Sequence, residues 1–181
     1  MKYLIIIIST FLIIQSVSAQ NEQELDLENV LVVAQQDDLS DRYTLEVALL
    51  ELFNRYGINT KASLNVIKQG GAANILQADS TVQKLKSEGI DTYLLVSIRG
   101  YNKRFKPSEE INDFDEEIKA GHLYPLYRES ASNVTFTFTF YRNLAPVHYE
   151  LIRTGTVGSK DAVMKKLMKK VERKLRKDWI K

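Results

Sequence analysis

The chain has 181 residues, with 25 Lys and Arg, 23 Asp and Glu, and no cysteine. The missing cysteine excludes disulfides, thiolate metal sites, cysteine nucleophiles and the lipid-modified cysteine of a lipoprotein anchor. The net charge of +2 conceals an asymmetry: from Lys160 to Lys181 ten Lys and Arg stand against Asp161, Glu172 and Asp178, a net +7, which leaves −5 on everything before Lys160.

Residues 1–19 read as a secretory signal. Lys2 supplies the positive end, Leu4 to Ile14 the apolar stretch, and Val17-Ser18-Ala19 the small residue before the cut, so cleavage after Ala19 leaves Gln20 as the amino terminus. The apolar run is interrupted by Ser9-Thr10 and falls short of the roughly 20 residues a bilayer span needs. Residues 20–181 are then one exported domain, and export without disulfides fits a bacterial periplasm. Residues 20–28 form a polar, acidic leader.

Val30 to Ala34 is a continuous apolar run, the pattern of a central strand covered on both faces. Asp38 to Asp41 supplies cap residues for a helix whose inward stripe is Leu45, Ala48, Leu49, Leu52, Phe53 and Tyr56. Gly57-Ile58 stops it by a Schellman arrangement. Thr60 to Ile67 is expected as a second strand, Gly70-Gly71 as a break, and Ser80 with Gln83 as the capping box of a short helix ending at Gly89-Ile90. Tyr93 to Ile98 is another buried strand. A polar excursion from Asn102 to Ser132 follows, and Val134 to Phe140 then alternates Val or Phe with Thr, which predicts a strand with one solvated face. Asn143 to Pro146 turns the chain into a partner strand from His148 to Val157. The last segment, from Asp161, is an amphipathic helix with Val163, Met164, Leu167, Met168, Val171, Leu175 and Trp179 on its apolar face. The order β-α-β-α-β-β-β-α predicts an α/β (α+β) fold with a mixed sheet of about five strands and helices packed on one face.

Chemistry is sparse in this pattern. Neither His122 nor His148 sits in a metal or catalytic spacing, and no nucleophile elbow, phosphate loop or dinucleotide fingerprint occurs. The acidic cluster Glu109, Glu110, Asp113, Asp115, Glu116 and Glu117 lacks the glycine and glutamate of a calcium loop, with Ile118 and Tyr124 in those places. A solvated charged loop is the plainer reading. No catalytic residue, metal or cofactor is therefore expected. Two surfaces remain for a partner. Tyr124, Tyr127 and Arg128, at the end of the excursion, have the side chains that dominate interfaces. Lys165, Lys166, Lys169, Lys170, Arg173 and Lys177 line the polar face of the last helix, which either docks on the sheet or lies on anionic lipid.

The stretch from Val30 to Ser63, with Glu88 to Ile98, resembles an uncharacterised family of bacterial envelope proteins, many of them lipoproteins. Arg42, Glu46, Gly57, Ala62, Ser63, Gly89 and Asp91 occupy its recurring positions. The resemblance implies an architecture similar to the amino-terminal domain of TolB and to periplasmic accessory domains such as LpoB, which bind other proteins. The lipobox cysteine and a tryptophan in the penultimate strand pair are missing here, so the resemblance implies neither an anchor nor a reaction. Read alone, Arg42 and Glu46 are an i,i+4 pair stabilising the helix by a few tenths of a kcal/mol. The expected function is a non-enzymatic exported, periplasmic binding or accessory module that contacts another cell-envelope component, with an unknown envelope protein as the expected partner. The alternative is a peripheral protein held on anionic lipid by its last helix, and an enzyme comes third. Export argues against nucleic acid, and no oligomeric state follows from the sequence.

Overall fold

A computed structural model describes residues 25–67, 73–108, 110–121 and 123–180. The expected cleavage point at Ala19 and Gln20, the Gly70-Gly71 break, Glu109 and His122 lie outside them.

The continuous apolar run forms β1 (Asn29–Gln35), buried on both faces as its composition requires. A crossover helix, α1 (Leu39–Arg55), begins where the Asp38 side chain accepts from the Asp41 amide at 2.9 Å. It ends where Ile58 N–H reaches back to Phe53 C=O and Gly57 N–H to Asn54 C=O, with Gly57 at φ +81°. That is the Schellman stop expected from the sequence, and Ile90 to Leu85 with Gly89 to Lys86 repeats it after α2 (Asp79–Ser87). The remaining elements are β2 (Asn59–Ala62), β3 (Thr92–Tyr101), α3 (Phe114–Ala120), β4 (Val134–Arg142), β5 (Ala145–Arg153) and α4 (Lys160–Lys174). The helix α4 widens into a π turn over Leu175–Trp179.

The strands form one five-stranded mixed sheet in the order β2-β1-β3-β4-β5. β1 pairs parallel with β2 and β3, and the β3, β4 and β5 neighbours are antiparallel. The five-stranded mixed sheet is the one the pattern predicts, and the elements differ from the expected order by the helix α3 within the excursion. The helix placement differs too: helices cover both faces. Val30, Val32, Leu94, Val96, Phe136, Phe138 and Phe140 face α1 and α4, whereas Leu31, Val33, Tyr93, Leu95 and Tyr141 face Leu85 of α2 and Phe114 and Ile118 of α3. The apolar runs in β1 and β3 force this, because a strand apolar on both sides needs cover on both.

Three local expectations also change. β2 stops at Ala62, because the Ser63 hydroxyl and the Leu64 amide are both taken by the Glu46 carboxylate, which draws residues 63–65 into a 3-10 turn. Ser80 caps nothing: α2 starts one residue earlier, after Ala78 and a 3-10 turn over residues 73–77, and no side chain caps it. β5 begins at Ala145, leaving Asn143 (φ +50°) and Leu144 (φ +66°) as a two-residue hairpin turn with both residues left-handed. Pro146 then sits within β5, tolerated because β5 is an edge strand and the register shifts beside Tyr141.

The threonine face of β4 is not solvated. Thr135, Thr137 and Thr139 are between 2% and 5% exposed. The Ser97 and Thr137 hydroxyls bond at 2.7 Å, and Thr135 donates to the Lys103 carbonyl at 3.5 Å. Alternation reports two different faces, and here the second face is a polar layer beneath the start of the excursion.

Arg42 and Glu46 are likewise not a surface pair. Glu46 is fully buried. Its Oε1 accepts from Ala34 N (3.0 Å), Arg42 Nε (3.1 Å) and Ser63 Oγ (2.6 Å), and its Oε2 from Leu64 N (3.1 Å). Arg42 Nη2 donates to Ser63 Oγ at 2.7 Å. The network ties α1 to the ends of β1 and β2, with its buried charge matched by donors on three elements.

Candidate functional site

The last helix is placed by its apolar stripe. Val163, Leu167, Val171 and Leu175 are fully buried and Trp179 is 1% exposed, its ring meeting Phe140 at 5.0 Å and Phe138 at 5.8 Å between centroids. Ser159 caps the first turn by accepting from Ala162 N at 3.2 Å. Lys160 reaches Asp41 at the start of α1, and Tyr56 at the end of α1 donates to Glu172 Oε1 at 2.9 Å, so α1 and α4 run side by side in the same direction. Five fully buried apolar side chains stabilise the docked helix by on the order of 10 kcal/mol. An exposed cation near an anionic membrane gains about 1 kcal/mol. The exposed cations keep that gain with the helix docked, so attraction to an anionic surface gives no reason to peel it away.

The cations of α4 divide into two rows with different surroundings. Lys166 donates to the Thr156 carbonyl, Lys170 to the Arg153 carbonyl at 2.5 Å, and Lys174 bridges Glu150 (3.1 Å) and Asp178 (2.9 Å). Lys170 has its pKa lowered, first by burial and then by Arg173, Arg153 and Lys166 around it. Lys174 has its pKa raised: burial pulls it down, but the bonds to Asp178 and Glu150 prevail. This inner row stitches the helix to β5 and the loop after it. The outer row, Lys165, Lys169, Arg173 and Lys177, is exposed and makes no ion pair or hydrogen bond to any described residue. Arg176 joins it, and Lys169, Arg173, Arg176 and Lys177 surround a shallow hollow of about 310 Å³ with Glu172 in its wall.

Of the six cations expected as an anionic contact, the structure thus sets four on the outer row and gives Lys166 and Lys170 structural acceptors. Arg176 was missed. The sequence did carry a signal for the split, since 165, 169, 173 and 177 follow one another at i,i+4, but the acceptors of the inner row come from residues 150–156 and cannot be seen in the helix alone.

Much of the described part of the excursion packs against the sheet. Phe114 is fully buried between Tyr93 and Tyr141, with ring centroids 5.4 and 5.2 Å away. The described acids of the cluster, from Glu110 to Glu117, lie on and beside α3, where Asp115 pairs with Lys119 and Glu117 Oε2 accepts from Asn112. Tyr124 and Tyr127 are half-buried against the main core. Tyr124 bridges to Gln36 and packs edge-on to Tyr101 at 6.2 Å, and Leu126 N donates to Asp41 Oδ2 at 3.2 Å. Tyr101 donates its hydroxyl to the Pro125 carbonyl, and burial pushes its pKa up to about 12. Arg128 is exposed, yet its guanidinium lies over the Tyr101 ring at 4.7 Å. The segment thereby runs across the carboxyl ends of β1 and β3, the switch point where open α/β sheets bind ligands.

Among the described residues no group of three or more His, Asp or Glu is arranged to hold a metal, and no helix is long and apolar enough to cross a membrane. No protein-family model matches the chain, and no curated protein matches its sequence. Among solved structures it is similar to the lipoprotein GNA1162 from Neisseria meningitidis, at 12% identity over 82% of this chain and 96% of that one, with a TM-score of 0.46. It is also similar to the PelC dodecamer from Paraburkholderia phytofirmans, at 14% identity over 80% of this chain and 85% of that one, with a TM-score of 0.45. Likeness at this level says nothing of activity or partner.

Proposed function

We propose that the protein is a non-enzymatic, exported binding module that meets another component of the cell envelope through the outer face of α4. The signal-like residues 1–19 support export, and the resemblance to an envelope family supports the compartment. The observation that carries the reading is the outer row itself. Lys165, Lys169, Arg173 and Lys177 repel one another along the helix and form no ion pair with any described residue, and the carboxylate in the wall of their hollow, Glu172, accepts from Tyr56 instead. A structural role would have supplied acceptors, as it does for the inner row.

The test is photo-crosslinking in intact bacterial envelopes, with the reactive group placed in turn at Lys169 on α4 and at Glu116 on α3, the opposite side of the sheet. Crosslinks to an envelope component, protein or lipid, from position 169 and none from 116 are expected. Crosslinks from 116 alone, or from neither position, would refute the reading. Mass analysis of the same exported material is expected to show a chain beginning at Gln20.

A further inference from the structure

We infer that the component met by the outer face of α4 is the anionic phosphate surface of a lipid bilayer, bound without insertion of the helix. The inference rests on the reading just given and names its partner. The outer row climbs the helix in i,i+4 steps, with Lys165 and Lys177 on the order of 18 Å apart along the axis and Lys169 and Arg173 between them. The row turns slowly about the axis, so a broad array of single negative charges, which long Lys and Arg side chains reach from neighbouring turns, suits it better than one compact acidic site. At the carboxyl end Arg173 and Arg176, three residues apart, share one hollow with Lys169 and Lys177, so two guanidinium groups, each able to bind phosphate oxygens in pairs, stand together.

A protein partner is disfavoured by what the face lacks. Protein interfaces draw their affinity from buried aromatic and aliphatic anchors. Among the described residues the large exposed apolar side chains are Leu39, Tyr43, Ile75, Ile111, Leu123 and Val147, and none of them is on α4. Insertion is disfavoured by what the helix already covers, because its one tryptophan and its leucines form the core against β4. This separates the mode from that of an interfacial amphipathic helix, which buries its apolar face in the acyl boundary.

The exported protein is to be floated with phosphatidylglycerol vesicles and with phosphatidylcholine vesicles. Binding to the first alone is expected, reversed by about 0.5 M salt, where the Debye length is well below 10 Å. Trp179 is the chain's single tryptophan, and its emission is expected to stay unchanged on binding. Lys169→Gln combined with Arg173→Gln is expected to lower the affinity about 25-fold, about five-fold for each cation, with a melting temperature no lower than that of the parent chain. Absence of binding at low salt, a blue shift of Trp179, or full binding by the double variant would each overturn the inference. Binding of inorganic phosphate without vesicle binding would reduce the hollow to a small-anion site and overturn it as well. Protein crosslinks from position 169 without vesicle binding would overturn the lipid partner and leave the proposed function standing.

Discussion

His148, on the edge strand, packs its ring against Phe140 at 5.8 Å and Trp179 at 6.5 Å, and its Nε2 is buried with no hydrogen-bond partner among the described residues. Burial lowers its pKa, Lys174 lowers it further, and Glu150 and Asp178 partly oppose them. The unfolded chain therefore takes up this proton more readily than the folded one. The stability it contributes is complete above the ordinary value of 6.5 and is lost as pH falls from there toward the depressed folded value. Denaturant melts between pH 7.5 and 5.5 are expected to show a loss of up to about 1.4 kcal/mol per pH unit from this proton, and His148→Gln is expected to flatten it. An identical slope in the variant would assign the effect to other groups. The sequence places His148 at a strand start and excludes a metal spacing, but its burial depends on Trp179, some thirty residues later. Glu46 is the sharper case. Its pairing with Arg42 is legible from the i,i+4 spacing, whereas its remaining donors, Ala34 N, Ser63 Oγ and Leu64 N, come from the ends of two strands and were not. A local rule for a helix surface undervalues a carboxylate that the tertiary fold encloses.

At the scale of elements, the sequence was most informative where one physical requirement acts alone. Both Schellman stops were readable because glycine followed by isoleucine satisfies backbone and packing together. The strands were readable from apolar runs, but the solvated face assigned to β4 was an error of neighbours: threonine is polar enough to face water and small enough to lie under a covering segment. The helix α4 offers a test of competing demands. Its outer row sets like charges at successive i,i+4 positions, which weakens the helix. Lys169→Glu replaces the repulsions with Lys165 and Arg173 by two attractions and is expected to raise stability by about 1 kcal/mol, read as a higher melting temperature. The same substitution is expected to weaken binding at this face. A variant that is both less stable and fully competent in binding would contradict the separation of the two rows.

The whole molecule is a sheet between two unequal layers. On one face α1 contributes Leu45, Leu49, Leu52 and Phe53, and α4 with its π turn contributes Val163, Leu167, Val171, Leu175 and Trp179. The two helices are also tied together by Asp41 with Lys160 and by Tyr56 with Glu172. On the other face α2 sends in only Leu85, and α3 only Phe114 and Ile118. Cooperative units open in order of the apolar area that holds them, so the thinner layer has the lower opening free energy. Hydrogen exchange followed by mass spectrometry is expected to show amides of α2 and α3 exchanging well before those of α1 and α4, with β1 and β3 slowest because both layers must leave before their amides open. Phe114→Ala removes the largest side chain of the thin layer, at a cost of about 3–5 kcal/mol. If the layers are separate units, that variant speeds exchange in α2 and α3 while leaving α1 and α4 the slower pair. Equal acceleration in all four helices would instead mean a single cooperative unit. The unequal layers also bear on the proposed membrane face, because α4 belongs to the thicker one, and a helix that must present a fixed row of charges without detaching is best held by the larger core.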